Sequence, residues 1–369
     1  MKSGWVTKKL GEVCELINGK NQSEVSDPNG KYPIYGSGGV MGHATDYRCP
    51  AGCTIIGRKG SINNPIFVNE KFWNVDTAYA LSPKGVNEKW LFYFCRSFDF
   101  SALDCGTTIP SLTSTLVKNI DIPIPPLAEQ KRIVAKIDAA FEKIDALKAN
   151  AEKNLANAKE LFQSALDEAM RPKKGWVEKR LGEVCDVLAG YPFRGNAFSE
   201  TGIKICGGLI ITPTEIKWNE CKYWDSSKGL EDYLLAADDI VMALDRPWIA
   251  DGFKIGMIEE NDLPCLLIQR TARLRAKKVT PKYLLYLLRH PAFKKYCTFT
   301  GATVPHISHK DIERYMIPCP SLPEQKQIVK RLDFLSEKIK LLDHNYSRQI
   351  ADCAEMRQAI LREAFEGRL

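Results

Sequence analysis

Polar residues in glycine-rich stretches are the strongest candidates for chemistry in this sequence. Arginine, lysine, asparagine and glutamine can hydrogen-bond base edges in the DNA major groove, and hydroxyl groups or histidine can hold phosphates. Such residues fall in stretches 35–39, 57–64, 191–194, 245–248 and 269–270, and in two related stretches near 107 and 303. The candidates for DNA contact are Ser37, Arg58, Lys59, Asn63, Asn64, Thr107, Thr108, Ser111, Arg194, Arg246, Gln269, Arg270, Thr303, His306 and Lys310. Each stretch could equally be an ordinary turn or a cap.

Two short motifs could belong to a methyl-transfer site, but both are incomplete. Gly36-Ser37-Gly38-Gly39 resembles a cofactor-binding loop, yet the residues after it do not begin a helix. Asn64-Pro65-Ile66-Phe67 resembles the Asn-Pro-Pro-aromatic motif that holds a flipped adenine, but Ile66 replaces the second proline. We also find no P-loop and no nuclease pattern. We therefore expect no catalytic centre; a stand-alone adenine methyltransferase is the enzymatic alternative.

Composition limits the remaining classes. The 12 cysteines form no Cys-x-x-Cys pair and the five histidines are scattered, so we expect buried reduced thiols and no metal site. A net charge of +7 permits a nucleic-acid partner without requiring one. The basic run from Arg270 to Lys278 is expected to be a solvated face. No apolar run approaches the roughly 18 residues of a membrane span and no signal-peptide core is present, which predicts a cytoplasmic protein without a membrane partner.

The sequence contains an internal repeat, which indicates how these candidate residues are arranged in the fold. Gly4-Trp5-Val6 and Leu10-Gly11-Glu12-Val13-Cys14 recur 171 residues later as Gly175-Trp176-Val177 and Leu181-Gly182-Glu183-Val184-Cys185. A second match, at an offset of 195, joins Gly106-Thr107-Thr108-Ile109-Pro110 to Gly301-Ala302-Thr303-Val304-Pro305. The second copy thus carries 24 extra residues between matched ends. Similar ends with different middles indicate one scaffold carrying two diversified surfaces; a plain duplicated enzyme domain is the alternative.

Two long amphipathic helices are predicted, at residues 127–171 and 321–369. Eleven apolar or small positions recur from Ile133 to Ala169 and, at the fixed offset of 195, from Ile328 to Ala364, in steps typical of a coiled-coil seam. The set includes Leu147, Leu161, Leu342 and Met356. Each helix of about 40 residues would be roughly 60 Å long. We expect the two to pair antiparallel; packing of each helix on its own domain is the alternative.

The fold class predicted is α+β, with two similar globular domains joined by two long antiparallel helices as a coiled coil, in a pseudo-twofold internal repeat. The predicted divisions are residues 1–126, the helix 127–171, residues 172–320 and the helix 321–369. Strands are predicted at residues 53–56 and 239–242, and short helices at 90–94 and 283–287.

The pattern resembles the specificity subunits of type I restriction-modification systems. The resemblance covers nearly the whole chain and depends on the Gly-Trp and Leu-Gly-Glu-Val-Cys motifs, on the run at 123–134, its counterpart at 318–329, and the ending Ala364-Phe365-Glu366-Gly367-Arg368-Leu369. It implies a non-catalytic protein whose two target-recognition domains each read half of a bipartite site in double-stranded DNA, with the helices setting the gap. A coiled-coil scaffold without DNA specificity is the other alternative.

The resemblance also implies partners. Two methyltransferase (modification) subunits would dock along the helices, bringing S-adenosylmethionine, and restriction/translocase subunits would bring ATP and Mg²⁺; no cofactor is expected on this chain itself. The docking candidates are Pro126, Leu127, Glu129, Gln130, Leu322, Glu324 and Gln325. These corners could contact partners or simply cap the helices.

Overall fold

The structure is a computed structural model that describes residues 4–194, 198–250, 252–300 and 304–369. It divides into two compact units. Unit 1 contains Met1–Asn154 and Asn345–Leu369, and unit 2 contains Leu155–His344. Each unit therefore includes one head and a part of both long helices. Because the units follow the packing and not the four predicted segments, the boundaries of those segments stay a prediction.

Unit 1 has a head of short strands and helices built on its first 126 residues. Its strands are β1 Val6–Lys9, β2 Cys14–Asn18, β3 Tyr32–Gly36, β4 Gly39–Ala44, β5 Cys53–Gly57, β6 Ile66–Val68, β7 Trp73–Asn74, β8 Ala78–Pro83 and β9 Asp121–Ile124. Its helices are α1 Leu10–Val13, α2 Glu88–Ser97, α3 Ser114–Lys118 and the beginning of α4, Leu127–Met170, with a 3₁₀ turn at Phe100–Leu103.

Unit 2 has a head of the same kind. Its strands are β10 Val177–Arg180, β11 Cys185–Ala189, β12 Ile203–Cys206, β13 Lys222–Trp224, β14 Ile240–Ala243, β15 Trp248–Ile249, β16 Gly252–Phe253, β17 Ile255–Met257, β18 Cys265–Leu267, β19 Thr271–Ala276 and β20 Met316–Cys319. Its helices are α5 Leu181–Val184, α6 Pro281–Arg289, α7 Pro291–Tyr296, α8 His309–Arg314 and the beginning of α9, Leu322–Phe365; 3₁₀ turns span Trp218–Glu220, Glu231–Tyr233 and Glu260–Asp262.

The two heads share one sheet topology, including the middles whose sequences do not match. In unit 1 the order β2-β8-β5-β6 is antiparallel throughout, and unit 2 repeats it as β11-β19-β14-β17. A second sheet, β4-β3-β7, has one antiparallel and one parallel pairing, as does β13-β12-β18. The β1-β9 pair recurs as β10-β20. The α+β class and the internal repeat are confirmed.

The repeated Leu-Gly-Glu-Val-Cys motif forms a single helical turn followed by a strand. The leucine and valine are buried in both heads, and the Cys14 thiol donates to the Leu10 carbonyl as Cys185 does to Leu181. Glycine suits this position because a Cβ at Gly11 would stand 3.0 Å from Lys118 Cβ in α3, so one of the two helices would have to shift by a few tenths of an ångström. The motif is therefore a packing element that lets α1 approach α3 closely.

The extra residues of the second copy lie mainly between β12 and β13. In unit 1 the equivalent strands β3 and β4 are joined by Ser37 and Gly38 alone, whereas residues 207–221 join them in unit 2. A short hairpin of β15 and β16 adds to the same head. The cofactor-like glycine loop is thus a turn between antiparallel strands and does not open a helix, unlike the methyltransferase loop that it resembles.

The long helices pair antiparallel within each unit. In unit 1, Arg132 of α4 donates to the Leu369 carbonyl at 2.8 Å, and Asp145 is ion-paired with Arg357 of α9. In unit 2, Lys159 lies 3.3 Å from Asp343, and Glu168 lies 2.9 Å from Arg331. The antiparallel prediction is confirmed.

Each head also packs against both helices, so the alternative that a helix packs on its own domain is correct in part. Ile133 and Ile137 of α4 are fully buried in the core of unit 1. Phe365, near the end of α9, packs on Trp90 with ring centroids 4.5 Å apart. Unit 2 repeats the arrangement with Leu332 of α9 and with Leu166 and Met170 of α4.

Four positions of the predicted seam are exposed and need correction. Leu147 and Leu161 of α4 are 52% and 59% exposed. Their repeat partners in α9, Leu342 and Met356, are 38% and 45% exposed. The seam pattern failed at the same two places in both copies, while Phe141 and Leu166 of α4 and Leu361 of α9, which are off the predicted stripe, are buried.

All 12 cysteines are free, and nine are buried. Burial raises the pKa of the Cys14 thiol to about 12, which keeps it protonated. Cys105 is exposed, so the expectation of a buried thiol is wrong there. Among the described residues no group of three or more potential ligands could hold a metal ion, and no helix of that part is long and apolar enough to cross a membrane.

Candidate nucleic-acid interface

Three loops meet at one edge of unit 1. The loop after β5 is pinned to the loop before α3: Gly60 N donates to Pro110 O at 2.9 Å, and Leu112 N donates to Arg58 O at 2.8 Å. The same loop is bonded to the turn before β8, because Arg58 N and Lys59 N both donate to Thr77 O. We call residues 58–60, 76–77 and 105–112 the three-loop edge of unit 1. Backbone bonds hold it, so its side chains are left to vary.

Asp104 organises the third loop of this edge. Its carboxylate accepts from Gly106 N and Ser111 N, both at 2.8 Å. These bonds lower the pKa of Asp104, with the bond from Ser111 contributing most. Thr107 and Thr108, both exposed, are thereby held at the surface beside Lys59 and Ser111, which form an antiparallel bridge.

Unit 2 builds an equivalent edge that repeats three of these four backbone bonds. Arg246 N donates to Pro305 O at 2.8 Å, Ile307 N to Leu244 O at 3.0 Å, and Leu244 N to Arg270 O at 2.9 Å. Asp245 and His306 form the antiparallel bridge. The three-loop edge of unit 2 is residues 244–246, 269–270, 300 and 304–307.

Side chains at equivalent positions of the two edges differ. The bonding pattern matches Lys59, Gly60, Thr77 and Ser111 of unit 1 to Asp245, Arg246, Arg270 and His306 of unit 2. Gly60 has φ +80°, which suits glycine, whereas Arg246 holds φ 45° with a full side chain. One scaffold thus presents two chemically distinct surfaces.

A charged network links the loops of the unit 2 edge. Asp245 Oδ1 lies 2.6 Å from His306 Nδ1, and Asp245 Oδ2 lies 3.3 Å from Arg270 Nη1. Next to it lies a cavity of about 520 Å³, lined by the 207–210 end of the extra segment and by Arg246, Lys254 and Arg270. Burial, followed by the charge of Arg246, lowers the pKa of Lys254. The cavity therefore carries an excess of positive charge suited to electron-rich ligands.

Several predicted contact residues are occupied within their own unit. Asn63 donates to Asp99 at 2.7 Å and accepts from Phe100 N at 2.9 Å. Gln269 accepts from Phe193 N at 2.8 Å and donates to Phe193 O at 3.3 Å. Both amides hold loops in place, so their DNA contacts stay predictions without geometric support.

The remaining candidates for DNA contact lie beside the edges or outside them. Ser37 lies beside the unit 1 edge, with its Oγ 3.6 Å from the position of a Cβ on Gly60. Asn64 and Arg194 are exposed in loops outside the edges, and Lys310 is exposed on α8. Thr303 lies outside the described residues.

The basic run from Arg270 to Lys278 is not simply a solvated face. Arg273, in β19, has a side chain only 6% exposed and lies 2.5 Å from Asp186. Arg275 forms a fork with the buried Asp239, both contacts being 2.7 Å. The prediction was wrong for Arg273, because the carboxylate of Asp186 on the neighbouring strand β11 receives its guanidinium in a buried place. Arg275 keeps a side chain that is 42% exposed, although it is paired.

The junction of each head with its long helix repeats side chain by side chain. Gln130 accepts from Asn87 N and donates to Pro125 O, both at 2.8 Å. Gln325 accepts from Thr280 N at 2.8 Å and donates to Pro320 O at 2.9 Å. Both glutamines are 1% exposed. Their assignment as docking contacts needs correction, because buried side chains cannot touch a partner.

The other predicted docking residues differ in exposure and in their contacts. Glu324 accepts from Ser321 N and Oγ, and these bonds lower its pKa; Glu129 pairs with Arg132 at 2.7 Å. The glutamates therefore act at least as helix caps and local ion pairs. Pro126, Leu127 and Leu322 are exposed and remain candidates for docking.

Sequence reasoning missed a second clamp at the same junction. Lys89 Nζ and Tyr93 Oη of α2 both bind the carboxylate of Asp138 in α4. In unit 2, Lys282 Nζ and Tyr286 Oη bind Asp333 of α9, each at 2.8 Å. The signal was present in the repeat, since Lys-x₃-Tyr recurs at an offset of 193 and the aspartate at 195.

The architecture matches a known class of fold. It has a TM-score of 0.81 to a chain of a solved structure described as the structural basis of complex assembly and conformational transition of the type I R-M system, with 23% identity, covering 100% of this chain and 99% of that one. It has a TM-score of 0.60 to the HsdS subunit from Thermoanaerobacter tengcongensis, with 22% identity and coverages of 100% and 98%.

Sequence comparison reaches the same class. A family model described as the type I restriction modification DNA specificity domain matches residues 2–157 and 173–350. The chain is 29% identical over 380 residues to the type I restriction enzyme MjaVIII specificity subunit of Methanocaldococcus jannaschii, covering 91% of this chain and 87% of that protein. This chain therefore belongs to the family of type I restriction-modification specificity subunits, which recognise DNA sequence. The resemblance seen in the sequence is confirmed.

Proposed function

We propose that this chain is the non-catalytic DNA-reading subunit of a type I restriction-modification complex in the cytoplasm, with each head reading one half of a bipartite site. The observation that carries the proposal is the duplicated three-loop edge. Matching backbone bonds in both heads support different side chains, so two edges of similar shape would recognise two different base sequences. Basic residues at both edges would supply salt-sensitive contact with phosphates.

The helices are proposed to set the gap between half-sites. Each is 44 residues long, or about 66 Å at 1.5 Å per residue. The half-sites are expected about one DNA turn apart, roughly 34–36 Å between centres.

Two methyltransferase subunits are proposed to dock along the helices, with exposed apolar positions as contacts. Leu147 and Leu342 are equivalent in the repeat, as are Leu161 and Met356, so the same surface occurs twice. S-adenosylmethionine would be held by those partners, and ATP and Mg²⁺ by restriction/translocase subunits, with no cofactor on this chain.

Methylome sequencing of the host with and without this gene tests the proposal. We expect a bipartite methylated motif that appears only with the gene, while the purified chain transfers no methyl group to DNA. Methylation by the isolated chain would support an enzyme, and oligomerisation without salt-dependent duplex binding would support a scaffold. Either result would overturn the proposal.

Two variants test the division of labour. Exchanging residues 1–126 for the equivalent region of another family member is expected to change one half of the motif only. Deleting residues 149–155 and 344–350, which are equivalent in the repeat, removes one heptad from each helix and is expected to shorten the gap. Changes in both halves, or an unchanged gap, would contradict modular reading and spacing respectively.

A further inference from the structure

Arg270 is the most exposed member of the network formed by Arg270, Asp245 and His306 in unit 2, and it is paired with Asp245. Its side chain is 76% exposed, whereas that of Asp245 is 24% exposed. A long arginine side chain usually loses rotamer freedom when it binds, so a fixed partner reduces this loss. Asp245 supplies that support to one Nη of Arg270, which leaves other donors of the planar guanidinium directed toward solvent.

Asp245, which supports Arg270, is held in turn by His306. His306 Nδ1 lies 2.6 Å from the second oxygen of Asp245, and backbone bonds to Pro305 and Ile307 fix the loop that carries the histidine. Arg270, Asp245 and His306 come from three separate loops, so the network exists only when the whole edge is assembled.

The backbone at this edge is in a conformation that side chains disfavour. Among the described residues other than glycine, only Asp238, Arg246 and Arg270 have positive φ, and both arginines line the same cavity. The unit 1 position equivalent to Arg246 is Gly60. Left-handed backbone at residues other than glycine tends to persist where function requires it. Arginine at both positions, in spite of this backbone conformation, points to a use for the guanidinium groups.

The charge and geometry select a ligand. The cavity beside Arg270 is lined by four cations, Lys222, Arg246, Lys254 and Arg270, and by two carboxylates, Asp245 and Glu220. A planar donor pair presented from a positively charged edge matches the O6 and N7 acceptors of guanine, the commonest arginine contact in the major groove. We propose that Arg270 reads a guanine in the half-site of unit 2, with Asp245 and His306 as positioning residues.

This inference rests on the proposed function, and the test separates the two. The gene is replaced in its own host by Arg270→Ala, Arg270→Gln and Asp245→Asn, and the methylome of each strain is sequenced. Arg314→Ala is the matched control, because Arg314 is a 69% exposed arginine of unit 2 that pairs with Asp311 away from the edge.

We expect the wild-type motif to require guanine at one position of one half-site. Arg270→Ala should relax discrimination at that position about ten- to a hundred-fold, leaving the other half unchanged. Arg270→Gln should shift preference there toward adenine, since glutamine pairs with adenine N6 and N7. Asp245→Asn should relax the same position more weakly, which a merely structural role would not do. Arg314→Ala should keep the wild-type motif.

Two outcomes would overturn the inference while leaving the proposed function intact. One is a wild-type bipartite motif retained by both Arg270 variants with equal discrimination. The other is a uniform loss of methylation in Arg270→Ala together with no position-specific change in Arg270→Gln, which indicates a phosphate contact. Absence of any gene-dependent bipartite motif in the wild type would instead overturn the proposed function.

Discussion

Between the two heads, the head–helix junctions repeat side-chain contacts, whereas the three-loop edges repeat backbone hydrogen bonds. At the junctions the side chains themselves are repeated: a buried glutamine, a lysine, a tyrosine and an aspartate make the same bonds in each unit. At the edges the backbone bonds are repeated, while lysine is matched by aspartate and glycine by arginine.

The difference follows from what each region must do. A head that is to be held at a fixed angle on a helix needs side chains that cross between the two elements, so those side chains cannot vary. A recognition surface that is to change its target needs a frame that does not depend on side chains. Backbone hydrogen bonds supply that frame because every residue except proline carries the same donor and acceptor.

The buried glutamines give the sharpest test of the junctions. Gln325→Ala leaves Thr280 N–H and Pro320 C=O without partners in a buried place, and Gln130→Ala does the same to Asn87 N–H and Pro125 C=O. We expect each change to destabilise its unit by about 2–4 kcal/mol. Thermal unfolding of the full chain measures this, with the exposed Gln349→Ala as control. Clearly unequal losses would break the equivalence of the two junctions.

The junctions also show what sequence alone could predict. The glutamines were found from the Pro-Leu-x-Glu-Gln repeat, and the two long helices were expected because apolar or small residues recur at helical spacing over most of each segment. The sequence could not show whether Gln130 faces a partner or the interior, because residue type and spacing do not say which face of the helix packs on the head. The second clamp was missed because Tyr93 and Asp138 are 45 residues apart and only the fold joins them.

The edges were harder to predict for a related reason. Ser111, Arg58 and Lys59 were selected by residue type, yet their meeting depends on three loops that no local pattern connects. The same rule selected Asn63, whose amide proves to hold a turn. Residue type reports which bonds a side chain can make, and only the tertiary structure decides whether protein or ligand receives them.

The clamp tyrosines predict a dependence on alkaline pH. Burial, and next the hydrogen bond to the aspartate, raise the pKa of Tyr93 and of Tyr286 in the folded chain. Unfolded tyrosine titrates near pH 10, so their stabilisation is complete below about pH 10 and is lost as the pH rises toward the folded pKa. The double variant Tyr93→Phe, Tyr286→Phe should lose about 1 kcal/mol per site at neutral pH.

The measurement is the urea midpoint between about pH 8 and pH 11. The wild type should lose stability over this range more steeply than the double variant. The control Tyr346→Phe, at a half-buried tyrosine of α9 outside both clamps, should follow the wild type. Parallel curves for the wild type and the double variant would show that the clamps do not carry the alkaline sensitivity.

Lys59 gives a test of the unit 1 edge. It is exposed in the pinned loop, where unit 2 has Asp245, so we expect it to contact phosphate in one half-site only. Lys59→Ala should lower the salt slope of duplex binding by about one without changing base preference. Lys143→Ala, an exposed lysine on α4, is the control. A change in the motif itself would instead make Lys59 a base contact.

The smallest expected effect concerns the equivalence of Gly60 and Arg246. Arg246 holds φ 45°, a conformation that costs a residue with a Cβ about 1–2 kcal/mol, and part of this is regained by glycine. Arg246→Gly should therefore leave the thermal stability of unit 2 unchanged or raise it by up to about 1 kcal/mol, whereas Arg246→Ala retains the strain. Both variants should bind duplex DNA more weakly, because both remove a cation from the cavity. Equal stability of the Arg246→Ala and Arg246→Gly variants would show that the left-handed backbone at this position costs no free energy. The comparison between Gly60 and Arg246 would then have no energetic basis.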